Sequence, residues 1–236
     1  MAATRNPNSA HPPITAVLFD FDDTLVSTYA ARLDALQRVF AEAGITDPTA
    51  EAFLRDMSGR QLEDALRPLE EREGLPPLRL FQDYRYTYWT KTAGFVNLFP
   101  GVRELLEELH RRSLKLAIVT QKGWVFEVEG RTVGASQELA EAGVSHFFST
   151  GVGFESVTNH KPHPEGVLLA LEHLNARPEQ CILVGDTPAD IGAAKAAGCW
   201  SVHATWGIPE ANYTHLRTDA DFVIDTPERL LELPVF

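Results

Sequence analysis

The chain predicts an α/β protein, with a three-layer αβα core on a parallel sheet and an inserted α-helical domain near its start. Three observations carry that expectation. Short apolar segments rich in β-branched residues, Ile14–Phe19, Leu116–Val119 and Cys181–Val184, read as buried strands. After Gly101 such segments alternate with helical stripes, the pattern of βα units whose helices cover both faces of a parallel sheet. Between the first segment and Pro100 the sequence offers no good strand, only helical periodicity.

Taken in order, residues 1–13 carry Asn, Pro, Ser and His without an apolar run and read as a loose tail, not a secretion signal. Ile14–Phe19 is the first strand, and residues 14–27 open the core. Tyr29 to Ala43 places Leu33, Leu36, Val39 and Phe40 on one helical face and stops at Gly44. Thr49 to Met57 and Gln61 to Glu73 continue the helical pattern, with Pro68 expected to bend or split the latter. The aromatic run Phe81–Trp89 is a further helix, its Trp89 and tyrosines read as packing between helices. Residues 28–95 therefore form the helical insertion, and 96–236 return to the core. There Val102, Leu105, Leu106 and Leu109 make a helical stripe before the strand that ends at Thr120. Residues 122–134 are glycine-rich, and alternation of Val125, Glu127 and Glu129 with Phe126 and Val128 marks an extra extended segment or irregular loop without an assigned role.

Composition narrows the function. The 236 residues suffice for one substantial core plus a small accessory domain. A formal net charge of −12 argues against nucleic acid or an anionic membrane as partner. No run is long and apolar enough to span a bilayer. Cys181 and Cys199 each border an apolar strand and read as small buried hydrophobes in a reducing compartment, so the cytoplasm is the expected location.

Chemistry concentrates at the strand ends. Asp20-Phe21-Asp22-Asp23-Thr24 follows the first strand, delivering two carboxylates to the carboxyl edge where open α/β sheets bind ligands. Residues i and i+2 share a face, so Asp20 and Asp22 repel unless a cation or a division of labour resolves the conflict. Alone, the cluster also fits a solvated turn or a helix N-cap. Three more segments shift the balance: Thr120 ending the second strand, Lys161-Pro162-His163-Pro164 before a helix, and Asp186 with Thr187-Pro188-Ala189-Asp190 after the third strand.

These four segments, in this order, resemble the motifs of the haloacid dehalogenase-like hydrolase superfamily. Phe99-Pro100-Gly101-Val102, Ala196-Ala197-Gly198 and Ala220–Asp225 are similar to its phosphoglycolate phosphatase-like branch. The resemblance implies a Rossmann-like core with residues 28–95 as a cap closing over the site. It also implies a phosphatase of small phosphorylated metabolites, phosphoglycolate foremost, working as a monomer or homodimer. Asp20 would be the nucleophile forming an aspartyl-phosphate and Asp22 the general acid and base. Thr120 would bind a phosphoryl oxygen, and Lys161 would offset its charge. A hard dication is expected beside so many oxygens, with Mg²⁺ held by Asp20, the Asp22 backbone carbonyl and Asp186. Asp190, one turn further, would orient Lys161 or a metal-bound water. Met57-Ser58-Gly59-Arg60 resembles a specificity loop in which Arg60 meets a second anion of the substrate, although Arg60 also reads as an exposed arginine opening a helix. Asp23 stands where that branch commonly has Gly. The alternatives are a β-phosphoglucomutase-like phosphomutase, a pyrophosphatase, or a non-catalytic binding protein on the same fold.

Overall fold

The structure is a computed structural model describing residues 12–57, 60–92, 96–207 and 218–236. Its first strand, β1 (Ala16–Phe19), is central in a six-stranded sheet. The other strands are β4 (Lys115–Val119), β7 (Thr150–Val152), β8 (Cys181–Gly185), β9 (Trp200–Ala204) and β10 (Phe222–Ile224), in the order β10-β9-β8-β1-β4-β7. Every neighbouring pair is parallel. The run-together apolar character of these strands reflects burial on both faces. Side chains alternate: Val17 and Phe19 enter one core with Ile118 and Val184, while Ala16 and Leu18 enter the other with Val119 and Leu183.

Helices close both faces. On one side pack α5 (Val102–Arg111) and α6 (Ala135–Glu141), through Leu105, Leu106, Leu109 and Leu139. On the other pack α7 (Glu165–Leu174) and α8 (Pro188–Ala197), whose Ala193, Ala194 and Ala197 let the helix approach the sheet closely. The three-layer α/β expectation holds. Cys181 and Cys199 are buried free thiols.

Four helices precede this return to the core: α1 (Tyr29–Ala43), α2 (Ala50–Met57), α3 (Leu62–Arg72) and α4 (Arg79–Thr87). They bury their own cluster of Leu36, Val39, Phe40, Phe53, Leu54, Leu66, Leu69 and Leu80. Gly44 ends α1 with a left-handed φ of 71°, the conformation that residue tolerates best. Two expectations need correcting. Pro68 does not split α3, which runs through it; burial of Leu66 and Leu69 on either side holds the helix together despite the lost backbone donor. The stretch before Pro100 is not strandless either: β2 (Val26–Ser27) pairs antiparallel with β3 (Asn97–Leu98) where the chain leaves and re-enters the core. Two-residue strands carry no readable periodicity.

Residues 122–134 resolve as an antiparallel hairpin of β5 (Phe126–Val128) and β6 (Arg131–Val133), so the expected extended segment is present. Among the described residues, no helix is long and apolar enough to cross a membrane.

Candidate active site

Register brings the motif residues together. Phe19 pairs with Ile118 on one side and Val184 on the other, so Asp20 lies beside Val119 and Gly185, and Thr120 and Asp186 follow one residue further along the flanking chains. The Asp20 amide continues the ladder to the Val184 carbonyl at 2.8 Å, fixing the backbone that carries the first carboxylate. The side chains of Asp20, Thr120 and Asp186 are buried and line a cavity of about 470 Å³ between the sheet edge and the helical insertion.

Lys161 lies at the floor of this cavity. Its ammonium donates to Asp20 Oδ1 at 2.7 Å, Asp190 Oδ1 at 2.5 Å and the Val119 carbonyl at 2.9 Å, and its side chain is only 6% exposed. An ammonium this deeply buried is tolerable because two carboxylates and a carbonyl replace its water. Burial would depress the lysine, but Asp190 and Asp20 hold it protonated well above its ordinary range. Asp190 is itself fixed by Thr187: the Thr187 amide and hydroxyl donate to Asp190 Oδ2 at 3.0 and 2.6 Å, a capping box opening α8. A Cβ on Gly185 would lie 2.3 Å from the Asp190 carboxyl carbon, so that strand end accepts only glycine. Gln121 Nε2 ties the loop after β4 to the Lys161 carbonyl at 2.7 Å.

Carboxylates outnumber cations at this floor. Oxygens of Asp20, Asp186 and Asp190 lie within 4.8 Å of one another. Burial chiefly, opposed by Lys161 and reinforced by Asp190, pushes Asp20 up to about 7. Burial together with Asp20 and Asp190 raises Asp186 well above the carboxylate range. One ammonium among three buried acids leaves a deficit of positive charge, and the donors are hard oxygens. The donor set fits a divalent cation of the Mg²⁺ type. Thr24 Oγ1 donates to Asp186 Oδ1 at 3.0 Å, and His203 Nε2 meets the Asp186 carbonyl at 3.1 Å, steadying that loop from behind.

Asp22 has a different environment. Its Oδ1 accepts from Lys122 Nζ at 3.1 Å. Burial would raise its pKa, but Lys122 and Arg32 outweigh that and hold it below the ordinary value. The two neighbouring acids are thus pushed in opposite directions. Asp23, φ 58°, turns away from the cavity. Its Oδ1 accepts from the Thr28 and Tyr29 amides at 3.0 and 3.1 Å, capping α1, while Oδ2 pairs with Arg32.

Among the predicted residues, Asp20, Asp22, Thr120, Lys161 and Asp186 line one cavity, and Asp190 stands directly behind Lys161. Thr120 Oγ1 accepts from the Lys122 amide at 3.0 Å. Arg60 lies on the same cavity, exposed, with its guanidinium donating to the Met57 and Asp56 carbonyls at 3.3 Å; Ser58 and Gly59 of its loop lie outside the described residues. Lys122, Arg32 and Glu138 were not anticipated. Tyr88 and Trp89, read as packing between helices in preference to a substrate box, both pack and line the cavity. Their signal in sequence is weak, because contacts such as Lys122 to Tyr88 and Tyr88 to Glu138 join positions 34 and 50 apart.

This constellation defines a hydrolytic site at the carboxyl edge of a parallel sheet, roofed by helices. Residues 17–204 match the model of the haloacid dehalogenase-like hydrolases, and the chain belongs to that family. It is a phosphatase of that family. A phosphoglycolate phosphatase of Salmonella typhimurium is 35% identical over 219 residues, covering 82% of each chain. A pyrophosphatase of Oceanobacillus iheyensis is 31% identical over 200 residues, covering 85% of this chain and 87% of its own. A haloacid dehalogenase-like hydrolase of Streptococcus pneumoniae superposes with a TM-score of 0.74 at 28% identity, covering 93% of this chain and 97% of its own.

Proposed function

We propose that the protein hydrolyses a small phosphomonoester through an aspartyl-phosphate on Asp20, with residues 28–95 acting as a cap over a core formed by 14–27 and 96–236. The observation that carries this reading is the convergence of Asp20, Asp22, Thr120, Lys161 and Asp186 on one cavity. Asp20 attacks phosphorus and the bond to the leaving oxygen breaks, Asp22 giving that oxygen its proton. Water then attacks the aspartyl-phosphate, Asp22 takes a proton from it, and inorganic phosphate leaves with Asp20 regenerated. Asp22 is held ionised here, as the second step requires; an adjacent phosphate dianion would raise its proton affinity for the first. Lys161 and the Thr120 hydroxyl serve the phosphoryl oxygens. Bound by Asp20, Asp186 and the Asp22 carbonyl, Mg²⁺ would supply charge neutralisation between the phosphate and the carboxylates.

Phosphoglycolate is the leading substrate, on the strength of the Salmonella relative. Pyrophosphate is the second reading, favoured by the Oceanobacillus relative and by the basic groups Arg32, Arg60 and Arg85 around the cavity. The cavity is larger than a two-carbon acid requires, within the roughly 300–1,000 Å³ range of drug-sized ligands. Longer phosphomonoesters therefore belong in the same screen. The test is turnover of phosphoglycolate, pyrophosphate, sugar phosphates and aryl phosphates with Mg²⁺, by wild type and Asp20→Asn. The carboxamide keeps the shape of Asp20 but cannot attack phosphorus. Turnover should vanish in Asp20→Asn with the fold intact, and near-normal rates in that variant would eliminate the mechanism.

A further inference from the structure

Lys122 begins the segment that sequence left without a role, and it is the meeting point of three separate parts of the chain. Its ammonium donates to Asp22 Oδ1 at 3.1 Å and to Tyr88 Oη at 2.7 Å, and pairs with Glu138 Oε2 at 2.6 Å. The rings of Tyr88, Trp89 and Phe21 surround it at 4.6, 5.1 and 5.2 Å. Asp22 and Phe21 come from the loop after β1, Glu138 from α6, and Tyr88 and Trp89 from the turn after α4 in the helical insertion. A lysine carries one of the largest rotamer entropies of any side chain; here the hydroxyl, two carboxylates and three rings remove that freedom.

The hairpin β5–β6 explains how the insertion is held in register with this lysine. Phe126 meets Trp89 edge-on at 5.5 Å, Arg131 donates to the Trp89 carbonyl at 2.8 Å, and Val133 packs with Ala31, Ala35, Tyr88 and Trp89. The base of the hairpin is anchored in turn by Glu155, which accepts from the Trp124 and Val125 amides at 2.9 and 3.0 Å.

We infer that Lys122 is a positioning residue for Asp22, and that Tyr88, seated by the hairpin, sets the position of Lys122. Aim of the acid/base carboxyl is thereby tied to the placement of the helical insertion. This rests on the acid/base reading of Asp22 given above. A mere counter-ion for Glu138 would account for that ion pair and for the Tyr88 hydroxyl, which donates to Glu138 Oε1 at 3.0 Å, but not for the contact to Asp22.

The experiment compares an alkyl phosphate turned over by the wild type with p-nitrophenyl phosphate, whose leaving group needs no proton. Full-length Asp22→Asn, Lys122→Met, Lys122→Arg and Tyr88→Phe are measured with Mg²⁺. A positioned general acid contributes about 10²–10⁴-fold; compared through kcat/KM, which reports the step that expels the leaving group and not the later hydrolysis common to both esters, Lys122→Met should lose about 10–100-fold on the alkyl ester and stay within about 3-fold on the nitrophenyl ester. Tyr88→Phe should move in the same direction by less, and Lys122→Arg should recover part of the loss. Equal losses on both esters would overturn the inference by reducing Lys122 to a structural ion pair. Should Lys122→Met fail to fold, Tyr88→Phe decides, and its indifference on both esters overturns the link to the insertion. If Asp22→Asn is selective for the alkyl ester and the Lys122 variants are not, the inference alone falls. If Asp22→Asn shows no selectivity, the acid/base reading falls and takes the inference with it.

Discussion

Asp23 stands where the family resemblance leads one to expect glycine, and its surroundings supply the reason. A φ of 58° costs most side chains about 1–2 kcal/mol, although Asp visits this region more readily than others. In return its carboxylate accepts from the Thr28 and Tyr29 amides at the start of α1 and pairs with Arg32, whose side chain is 22% exposed. Losing a helix cap costs about 0.5–2 kcal/mol, and leaving a partly buried charged group without its partner costs about 1–3 kcal/mol. Asp23→Gly should therefore be destabilising by about 1–2 kcal/mol net, although it supplies the expected residue. Thermal unfolding measures it, and an unchanged or higher Tm would show that relief of the backbone dominates. Legibility in sequence divides along the same physical line. Asp20, Thr120, Asp186 and Asp190 were readable because each ends a strand or opens a helix, which local pattern marks. Lys122, Glu138 and Tyr88 act through partners brought near by folding: Lys122 and Asp22 are 100 positions apart, and no local period connects them.

At the scale of elements, β1, β4, β8 and β9 were legible because burial imposes continuous apolar runs on them, whereas β7 and β10, three residues each, were not read. The β2–β3 pair was not, since two residues have no pattern to show. The hairpin at 126–133 was legible as extended chain but not as a brace, because its value lies in contacts with Trp89 and Val133's neighbours in another part of the sequence. The end of α2 carries a further prediction. Arg60 donates to the Met57 and Asp56 carbonyls, satisfying acceptors that the helix end leaves open, while it lies on the cavity. Reading a remote substrate anion would use a charge-assisted contact of about 1.5–3 kcal/mol. Arg60→Ala should then reduce kcat/KM about 10- to 150-fold on a carboxylated or doubly phosphorylated substrate. A simple aryl phosphate should be almost untouched. Equal losses on the two would assign Arg60 to holding the helix end, and no loss on either would make it a plain surface residue.

Charge governs the molecule as a whole: the net charge is −12, and three of its acids converge at the buried floor of the cavity. In metal-free protein, Asp20 is pushed from 3.8 to about 7, chiefly by burial and further by Asp190, against the opposing pull of Lys161. Asp186 is raised for the same reason, with Asp20 and Asp190 adding to its burial. The folded state thus holds protons that the unfolded chain releases near pH 4. Stability from these groups is fully present below pH 3.8 and is lost as pH rises through about 7. A dication bound by the same oxygens opposes that loss, because it stabilises the ionised form that protons otherwise suppress. EDTA-treated protein should therefore lose Tm between pH 5.5 and pH 8, and Mg²⁺ should restore it mainly at the higher pH. At a concentration of about 100 Kd, a ligand of the folded state adds about 2.7 kcal/mol. For a chain of this size that is a rise of about 5–10 °C at pH 8. At pH 5.5 the rise should be small, because protons occupy the same carboxylates. Asp186→Asn should abolish most of the shift at both pH values, and activity lost to EDTA should return with Mg²⁺ but poorly with Ca²⁺, whose looser geometry misplaces the attacking carboxylate. A Mg²⁺ shift of equal size at both pH values, or one that survives Asp186→Asn, would place the cation elsewhere than on Asp20 and Asp186.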